Sequence, residues 1–306
     1  MRLPEVERGD GLFGRLLIGL ISLISGMRLP DAARIVFYHR KFYGDPASTW
    51  THAAMRDESA WTVGERELMA AMTAKWNACV FCIGAHGAMA VRVMGKPVVD
   101  SAIENFLQAK LSGRLRATLT FLEILATEPG KLKAEDARDV LKTGVTLEAL
   151  EDGIAVAALF SITVRNADAF NFSIPNEKDF NRAAQQMLVR GYAFGKGKTP
   201  LHPDHRALAE VLRQRVLEGP SLTDPKLRQA MAKRAAGGVV SLEPPYVDLA
   251  RQIGEAAYKV TEEHVAKLLE KAGNEKAAFE LIVASAVGAG LYRWQRGLEV
   301  LEEATH

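Results

Sequence analysis

Residues 62–94 read TVGERELMAAMTAKWNACVFCIGAHGAMAVRVM, and this stretch indicates the fold class. Thr62 is followed three residues later by Glu65, a capping-box pattern that predicts the start of a helix. Asn77 is predicted to cap a second helix over residues 78–94. Because no run of alternating apolar and polar residues is found here or elsewhere in the chain, the sequence predicts an all-α fold.

Helical periodicity also dominates outside this stretch. Residues 43–56 contain Gly44 and Pro46 and are predicted to be mainly a loop, and residues 195–200 are a predicted linker rich in Gly, Pro and Lys. Further helices are predicted at residues 31–42, 101–111, 115–127, 134–143, 147–172, 179–192, 204–217, 225–235, 245–258, 262–271 and 275–303.

An internal similarity predicts two repeats. Residues 132–136 (LKAED) resemble residues 260–264 (VTEEH), and each stretch opens a short helix followed by a longer one rich in small residues, which aligns Glu151 with Glu280. The second repeat contains no cysteine. The predicted organisation is an N-terminal helical arm at 1–45, a redox domain at 46–194 and a degenerate helical repeat domain at 201–306.

The charge balance and the N-terminal stretch narrow the function classes. Lys plus Arg is 39 and Asp plus Glu is 37, which argues against a nucleic-acid binder. The apolar stretch 12–24 is interrupted by Gly14, Arg15 and Gly19, falls short of the roughly 20 residues of a membrane span, and lacks a secretory-signal pattern. It is predicted to pack on the body or on a partner subunit, with a membrane-surface helix as the alternative. A cytoplasmic location is expected, where thiols stay reduced.

Two cysteines within four residues suggest chemistry rather than a disulfide scaffold. On one helix, Cys79, Cys82 and His86 share a face. The unsatisfied amides at the helix start favour a thiolate at Cys79, and His86, one turn after Cys82, can take up a proton. A second thiol nearby can resolve a sulfenic acid as a disulfide. Glu67, on the preceding helix, is expected to reach this face if the helices pack antiparallel, and to orient His86.

Other interpretations of the same residues stay open from the sequence. The cysteines are alternatively buried structural residues, or zinc ligands together with His86 and a remote His39 or His52, although a second ligand pair at finger-like spacing is missing. The aromatic residues that border the dithiol are predicted to belong to the core, with a pocket wall as the alternative: Trp61, Trp76 and Phe81.

Glu67, eleven intervening residues and then CVFCIGAH over residues 79–86 resemble the signature of the alkylhydroperoxidase D-like branch of the carboxymuconolactone decarboxylase family. Residues 64–70 and 150–170 are similar as well. The resemblance covers about residues 33–175 and is faint over 209–301, which look like a degenerate second copy. It implies an all-α helical bundle that forms homo-oligomers and needs no cofactor or metal.

The resemblance also implies roles for the site residues. Cys82 would be the attacking thiol, Cys79 the resolving thiol, and Glu67 and His86 a water-bridged proton relay. The helix-dipole reasoning favours Cys79 as the reactive thiol instead, and we follow the resemblance because His86 lies one turn from Cys82. Some members carry a histidine where this chain has Phe81.

The predicted function is a thiol-dependent peroxidase that reduces hydroperoxides through a dithiol/disulfide cycle. The reductant would be an external dithiol, such as a lipoylated protein. One alternative is a disulfide reductase or redox-sensing module that acts on a protein partner. A second alternative is a non-catalytic helical assembly protein.

Overall fold

The computed structural model describes residues 1–25, 28–193 and 201–306, and the predicted linker at 195–200 lies outside them. The described residues form helices and no β-strand, so the all-α prediction is confirmed. The α-helices are α1 (Pro4–Arg8), α2 (Gly11–Ser25), α3 (Asp31–Tyr38), α4 (Asp45–Arg56), α5 (Val63–Trp76), α6 (Val80–Met94), α7 (Lys96–Asn105), α8 (Gly113–Thr127), α9 (Ala134–Leu141), α10 (Leu147–Ala169), α11 (Glu177–Arg190), α12 (His205–Arg213), α13 (Pro225–Ala235), α14 (Tyr246–Ala256), α15 (Glu262–Ala272) and α16 (Glu275–Thr305). Short π segments lie at Arg40–Gly44 and Gln214–Glu218, and short 3-10 segments at Pro129–Lys131 and Ala257–Lys259.

Two local predictions were wrong. The predicted loop at 43–56 is largely the helix α4. Pro46 does not prevent this helix, because it lies in the first turn, where the missing N–H of proline breaks no helical hydrogen bond. Asn77 does not cap the second helix. It lies at the C-terminal end of α5, where its side chain donates to the carbonyl of Thr73, and Cys79 occupies the N-cap of α6.

The chain divides into two compact units, each assembled from three segments. The first comprises Met1–Thr49, Ile162–Ile174 and Arg206–Ala289; the second comprises Trp50–Ser161, Pro175–His205 and Gly290–His306 and contains both cysteines. Each predicted domain is one continuous stretch of sequence: 1–45, 46–194 or 201–306. Each observed unit is instead discontinuous in sequence, because a unit boundary falls inside each of the long helices α10 and α16. The division into consecutive folding domains stays a prediction.

Each unit contains one copy of a buried arginine motif. Arg66 on α5 donates to the carbonyl oxygens twelve and nine residues before it, and Arg228 on α13 does the same in the other unit. The two arginines lie 162 residues apart, as do the first residues of α5 and α13. A shared backbone arrangement around each arginine is structural support for the predicted repeat.

The later helices repeat with a shorter offset. The starts of α9 and α15, and likewise those of α10 and α16, are 128 residues apart. At this offset Glu280 corresponds to Asp152, and Ser221 and Ser59, themselves 162 residues apart, donate to these two buried carboxylates. The sequence alignment of Glu151 with Glu280 was therefore wrong by one residue.

The helix α2 carries a row of exposed leucines: Leu12, Leu16, Leu20 and Leu23. Another side of the same helix is packed, since Ile18 is 5% exposed, and the predicted packing of this stretch on the body is seen for that side. None of the helices in the described ranges is long and apolar enough to cross a membrane.

Candidate active site

The two cysteines lie at the start of α6. Cys79 is the N-cap residue, with φ −87° and ψ 97°, and Cys82 is the third residue of the helix. Neither is in a disulfide, and both residues are fully buried, with 0% of their surface exposed. The first turn, where unsatisfied amides favour an anion, therefore belongs to Cys82, whereas the sequence placed Cys79 in it.

A tight turn holds α5 and α6 antiparallel. Ala78 adopts a left-handed conformation with φ 58°, and the N–H of Cys79 donates to the carbonyl of Ala74. Gly64, near the start of α5, lies so close to Val93 near the end of α6 that a Cβ there would be 2.9 Å from its side chain. This close approach aligns the middle of α5 with the middle of α6.

Glu67 on α5 and His86 on α6 face each other across this helix pair. The Oε2 atom of Glu67 lies 2.7 Å from Nδ1 of His86. Glu67 is fully buried and His86 is 6% exposed. The contact expected from the sequence spacing is therefore present in the structure, and the catalytic roles of the two residues stay a prediction.

Two further residues complete the cluster, and neither was identified from the sequence. Nη2 of Arg56, the last residue of α4, donates to Oε1 of Glu67 at 2.7 Å. The hydroxyl of Tyr192, just after α11, donates to both carboxylate oxygens, at 2.9 and 3.1 Å, and lies 3.4 Å from Nδ1 of His86. We call these four residues, Arg56, Glu67, His86 and Tyr192, the relay cluster.

The charges in the relay cluster depend on its burial. Burial acts to raise the pKa of Glu67, but the hydrogen bond and charge of His86 and the charge of Arg56 outweigh it and hold the pKa below its usual range. Burial, together with the negative charge of Glu67, raises the pKa of Tyr192 well above its usual value. Glu67 is therefore an ionised acceptor, and Tyr192 keeps its proton and donates.

This arrangement sets the proton positions on His86. An ionised carboxylate can only accept hydrogen bonds, so Nδ1 of His86 must carry the proton that bonds Glu67. In the neutral imidazole, Nε2 is then the acceptor. His86 lies one helical turn after Cys82 in the same helix, which is the spacing that brings two side chains together. The cluster can therefore hold His86 ready to accept a proton at Nε2.

The helix α11 covers part of α6. The rings of Phe81 and Phe180 lie 6.1 Å apart, and a Cβ added to Gly84 would lie 2.7 Å from the ring of Phe180. Because both thiols are fully buried, a reactant reaches them only when this part of the chain opens.

Comparisons with known proteins give structural neighbours, among them two peroxidase-related proteins. No protein-family model matches the chain, and neither does any curated protein. The chain is similar to an uncharacterized peroxidase-related protein with an alkylhydroperoxidase AhpD core from Ralstonia eutropha JMP134, at 26% identity over 56% of this chain and 88% of that one, with a TM-score of 0.47. An uncharacterized peroxidase-related protein from Silicibacter sp. TM1040 is 22% identical over 55% of this chain and 86% of that one, with a TM-score of 0.48.

The aromatic residues near the dithiol have structural contacts. Trp61 is buried, its indole N–H donates to the carbonyl of Ala149, and the guanidinium of Arg114 lies over its ring. Trp76 is half-buried and packs edge-on against Phe106. These contacts support the core interpretation for both tryptophans.

The residues named for a zinc site have other contacts. Nδ1 of His52 accepts the backbone N–H groups of Tyr192 and Ala193, and Nε2 of His39 lies 3.2 Å from Oε1 of Glu280. Within the described ranges, no group of three or more His, Cys, Asp or Glu side chains is arranged to hold a metal ion.

Proposed function

We propose that this chain is a thiol-dependent peroxidase in which Cys82 and Cys79 cycle between dithiol and disulfide. The observation that carries the proposal is the buried relay cluster beside a helix that begins with two thiols. A buried charge network is weak evidence for stability, whereas ionisable groups with shifted pKa values cluster at functional sites.

The relay cluster supports a defined first step. Glu67 holds Nδ1–H of His86, so Nε2 takes the proton of the Cys82 thiol and leaves a thiolate. The thiolate sulfur attacks one oxygen of the hydroperoxide. A sulfur–oxygen bond forms, the oxygen–oxygen bond breaks, and the alcohol leaves with the proton that His86 returns. Cys82 is now a sulfenic acid.

The second step uses the neighbouring thiol. Cys79 lies three residues before Cys82 at the same helix start. Its sulfur attacks the sulfenic sulfur, a disulfide forms, and water leaves with the thiol proton. An external dithiol then reduces the disulfide by exchange and is itself oxidised. Over the cycle, one hydroperoxide is reduced to alcohol and water at the expense of that dithiol.

The choice of Cys82 as the attacking thiol also has structural support. The helix begins at Val80, so Cys82 is inside the first turn and His86 is one turn further along. The dipole and the base then favour the same sulfur, whereas the two considerations pointed to different cysteines in the sequence. Complete burial of both thiols favours a small oxidant over a disulfide on a protein partner.

The test is peroxide consumption with a dithiol reductant, comparing wild type with Cys82→Ser and Cys79→Ser. Cys82→Ser should abolish turnover. Cys79→Ser should react once with peroxide and stop as a sulfenic acid, which mass spectrometry detects as one added oxygen. Wild-type turnover by Cys82→Ser would refute the mechanism.

A further inference from the structure

The position of Tyr192 in the relay cluster is set by a turn whose backbone conformation and close packing favour glycine at residue 191. The helix α11 ends at Arg190, and Gly191 comes next with φ 71° and ψ −159°, a conformation that favours glycine. A Cβ on Gly191 would lie 2.5 Å from the ring of His52. Nδ1 of the same His52 ring accepts the backbone N–H groups of Tyr192 and Ala193. The turn and the ring together direct Tyr192 inward.

Tyr192 then contacts every other member of the cluster. Its hydroxyl donates to both carboxylate oxygens of Glu67. Its ring is nearly parallel to the His86 ring, with an interplanar angle of 17° and centroids 6.3 Å apart. The guanidinium of Arg56 lies 4.8 Å from the centre of the tyrosine ring. Arg56 and His86 each bond a single oxygen of Glu67, so of these three partners only Tyr192 donates to both oxygens.

The geometry of the carboxylate explains why a donor to both oxygens matters. Arg56 bonds Oε1 and His86 bonds Oε2, so a rotation of the carboxylate about its last carbon–carbon bond would weaken both contacts. A hydroxyl that bridges the two oxygens opposes this rotation. We propose that Tyr192 is a positioning residue, which orients Glu67 so that its Oε2 holds Nδ1–H of His86 and leaves Nε2 as the base. This inference rests on the proposed function.

The proposal has consequences that a merely structural tyrosine would not have. Without the hydroxyl, the carboxylate of Glu67 can rotate more freely, and Nε2 of His86 is directed less often at the Cys82 thiol. The thiol is then deprotonated less readily at a given pH. The acid limb of the thiol-reactivity profile should move to higher pH, while loss of packing alone would lower the stability and leave the profile in place.

The experiment measures alkylation of Cys82 by iodoacetamide as a function of pH, in a Cys79→Ser background so that one thiol reacts. Tyr192→Phe keeps the ring and removes the hydroxyl. We expect an alkylation rate at pH 7 about tenfold below that of the parent, with the acid limb moved to higher pH. Tyr258→Phe is the matched control, because Tyr258 is 52% exposed and should change neither quantity.

Gly191→Ala is the second variant, since it keeps the hydroxyl but strains the turn that delivers it. It should move the profile in the same direction as Tyr192→Phe. An unchanged profile in Tyr192→Phe, or a slower rate with the acid limb in its original place, would overturn the proposal.

Peroxide consumption is recorded separately with both cysteines in place, for the wild type and for Tyr192→Phe. A wild type that consumes no peroxide, together with a shifted alkylation profile for Tyr192→Phe in the Cys79→Ser background, would refute the proposed function and leave the role of Tyr192 supported. The two failures are therefore distinguishable.

Discussion

Replacement of Arg56 by methionine tests whether Glu67 is a buried carboxylate that depends on its partner. The side chains of Arg56 and Glu67 are 1% and 0% exposed, and their closest atoms are 2.7 Å apart. Removing one member of a buried ion pair costs about 3–5 kcal/mol, because the other charge stays buried without its counter-ion. His86 and Tyr192 still donate to Glu67, so we expect a loss near the lower end of that range at pH 7.

The pH dependence of this loss has a definite sign. In the wild type, the pKa of Glu67 is below its usual value of 4.5, so the carboxylate contributes stability above that pH and loses it as the pH falls through the folded-state pKa. Without Arg56, burial is opposed by fewer groups and the folded-state pKa of Glu67 moves upward. The deficit of Arg56→Met should therefore grow as the pH rises from 4 to 7.

The assay is urea unfolding monitored by circular dichroism at pH 4 and pH 7. The matched control is Arg40→Met, which breaks the exposed pair of Arg40 with Asp45 and should cost less than about 1 kcal/mol. In the double variant Arg56→Met/Glu67→Gln no charge is left unpaired, so it should regain part of the lost stability. If Arg56→Met unfolds at the same urea concentration as Arg40→Met at pH 7, the buried-pair reasoning is refuted.

Two further predictions concern packing and acid stability. Gly84→Ala places a methyl group 2.7 Å from the ring of Phe180, so it should lower the stability by about 1–3 kcal/mol in urea unfolding and speed alkylation of the thiols. Gly87→Ala is the control and should cost nothing, because the side-chain atom nearest to its new Cβ is 3.5 Å away. Equal effects of the two substitutions would contradict the role of Phe180 as a cover over the thiols. Burial alone would raise the pKa of Glu280, but hydrogen bonds from His39, Ser221 and Thr223 lower it to about 2. The wild type should therefore lose on the order of 3 kcal/mol as the pH falls from 5 to 2, and Glu280→Gln should lack this part of the acid loss in thermal unfolding; an unchanged acid slope would count against it.

Local signals account for the parts of the fold that were predicted from the sequence. The capping box of Thr62 and Glu65 is present at the start of α5, with the side chain of Glu65 bonded to the N–H of Thr62. Such a cap depends on residues three positions apart and needs no tertiary partner. Pro46 misled the prediction for the opposite reason, since a proline in the first turn of a helix and a proline in a loop have the same local sequence signal.

The candidate site also contains residues that local sequence signals predicted and residues that they did not. Glu67 and His86 lie 19 residues apart on two helices joined by a tight turn, so helical spacing alone suggested that they meet. Tyr192 lies 125 residues after Glu67 and stands beyond a different helix. No periodicity connects residues at that distance, and its position depends on the packing of α11 and on the fit of Gly191 against His52. Arg56 was missed because its helix was predicted to be a loop.

The two matching arginines, Arg66 and Arg228, provide an internal control within one molecule. Arg66 and Arg228 make the same backbone bonds, but only the copy with Arg66 carries thiols. A change that loosens either copy should weaken folding in a comparable way, while its effect on turnover depends on which copy is touched. Comparing the two positions within one molecule thus separates damage to the framework from damage to the reaction.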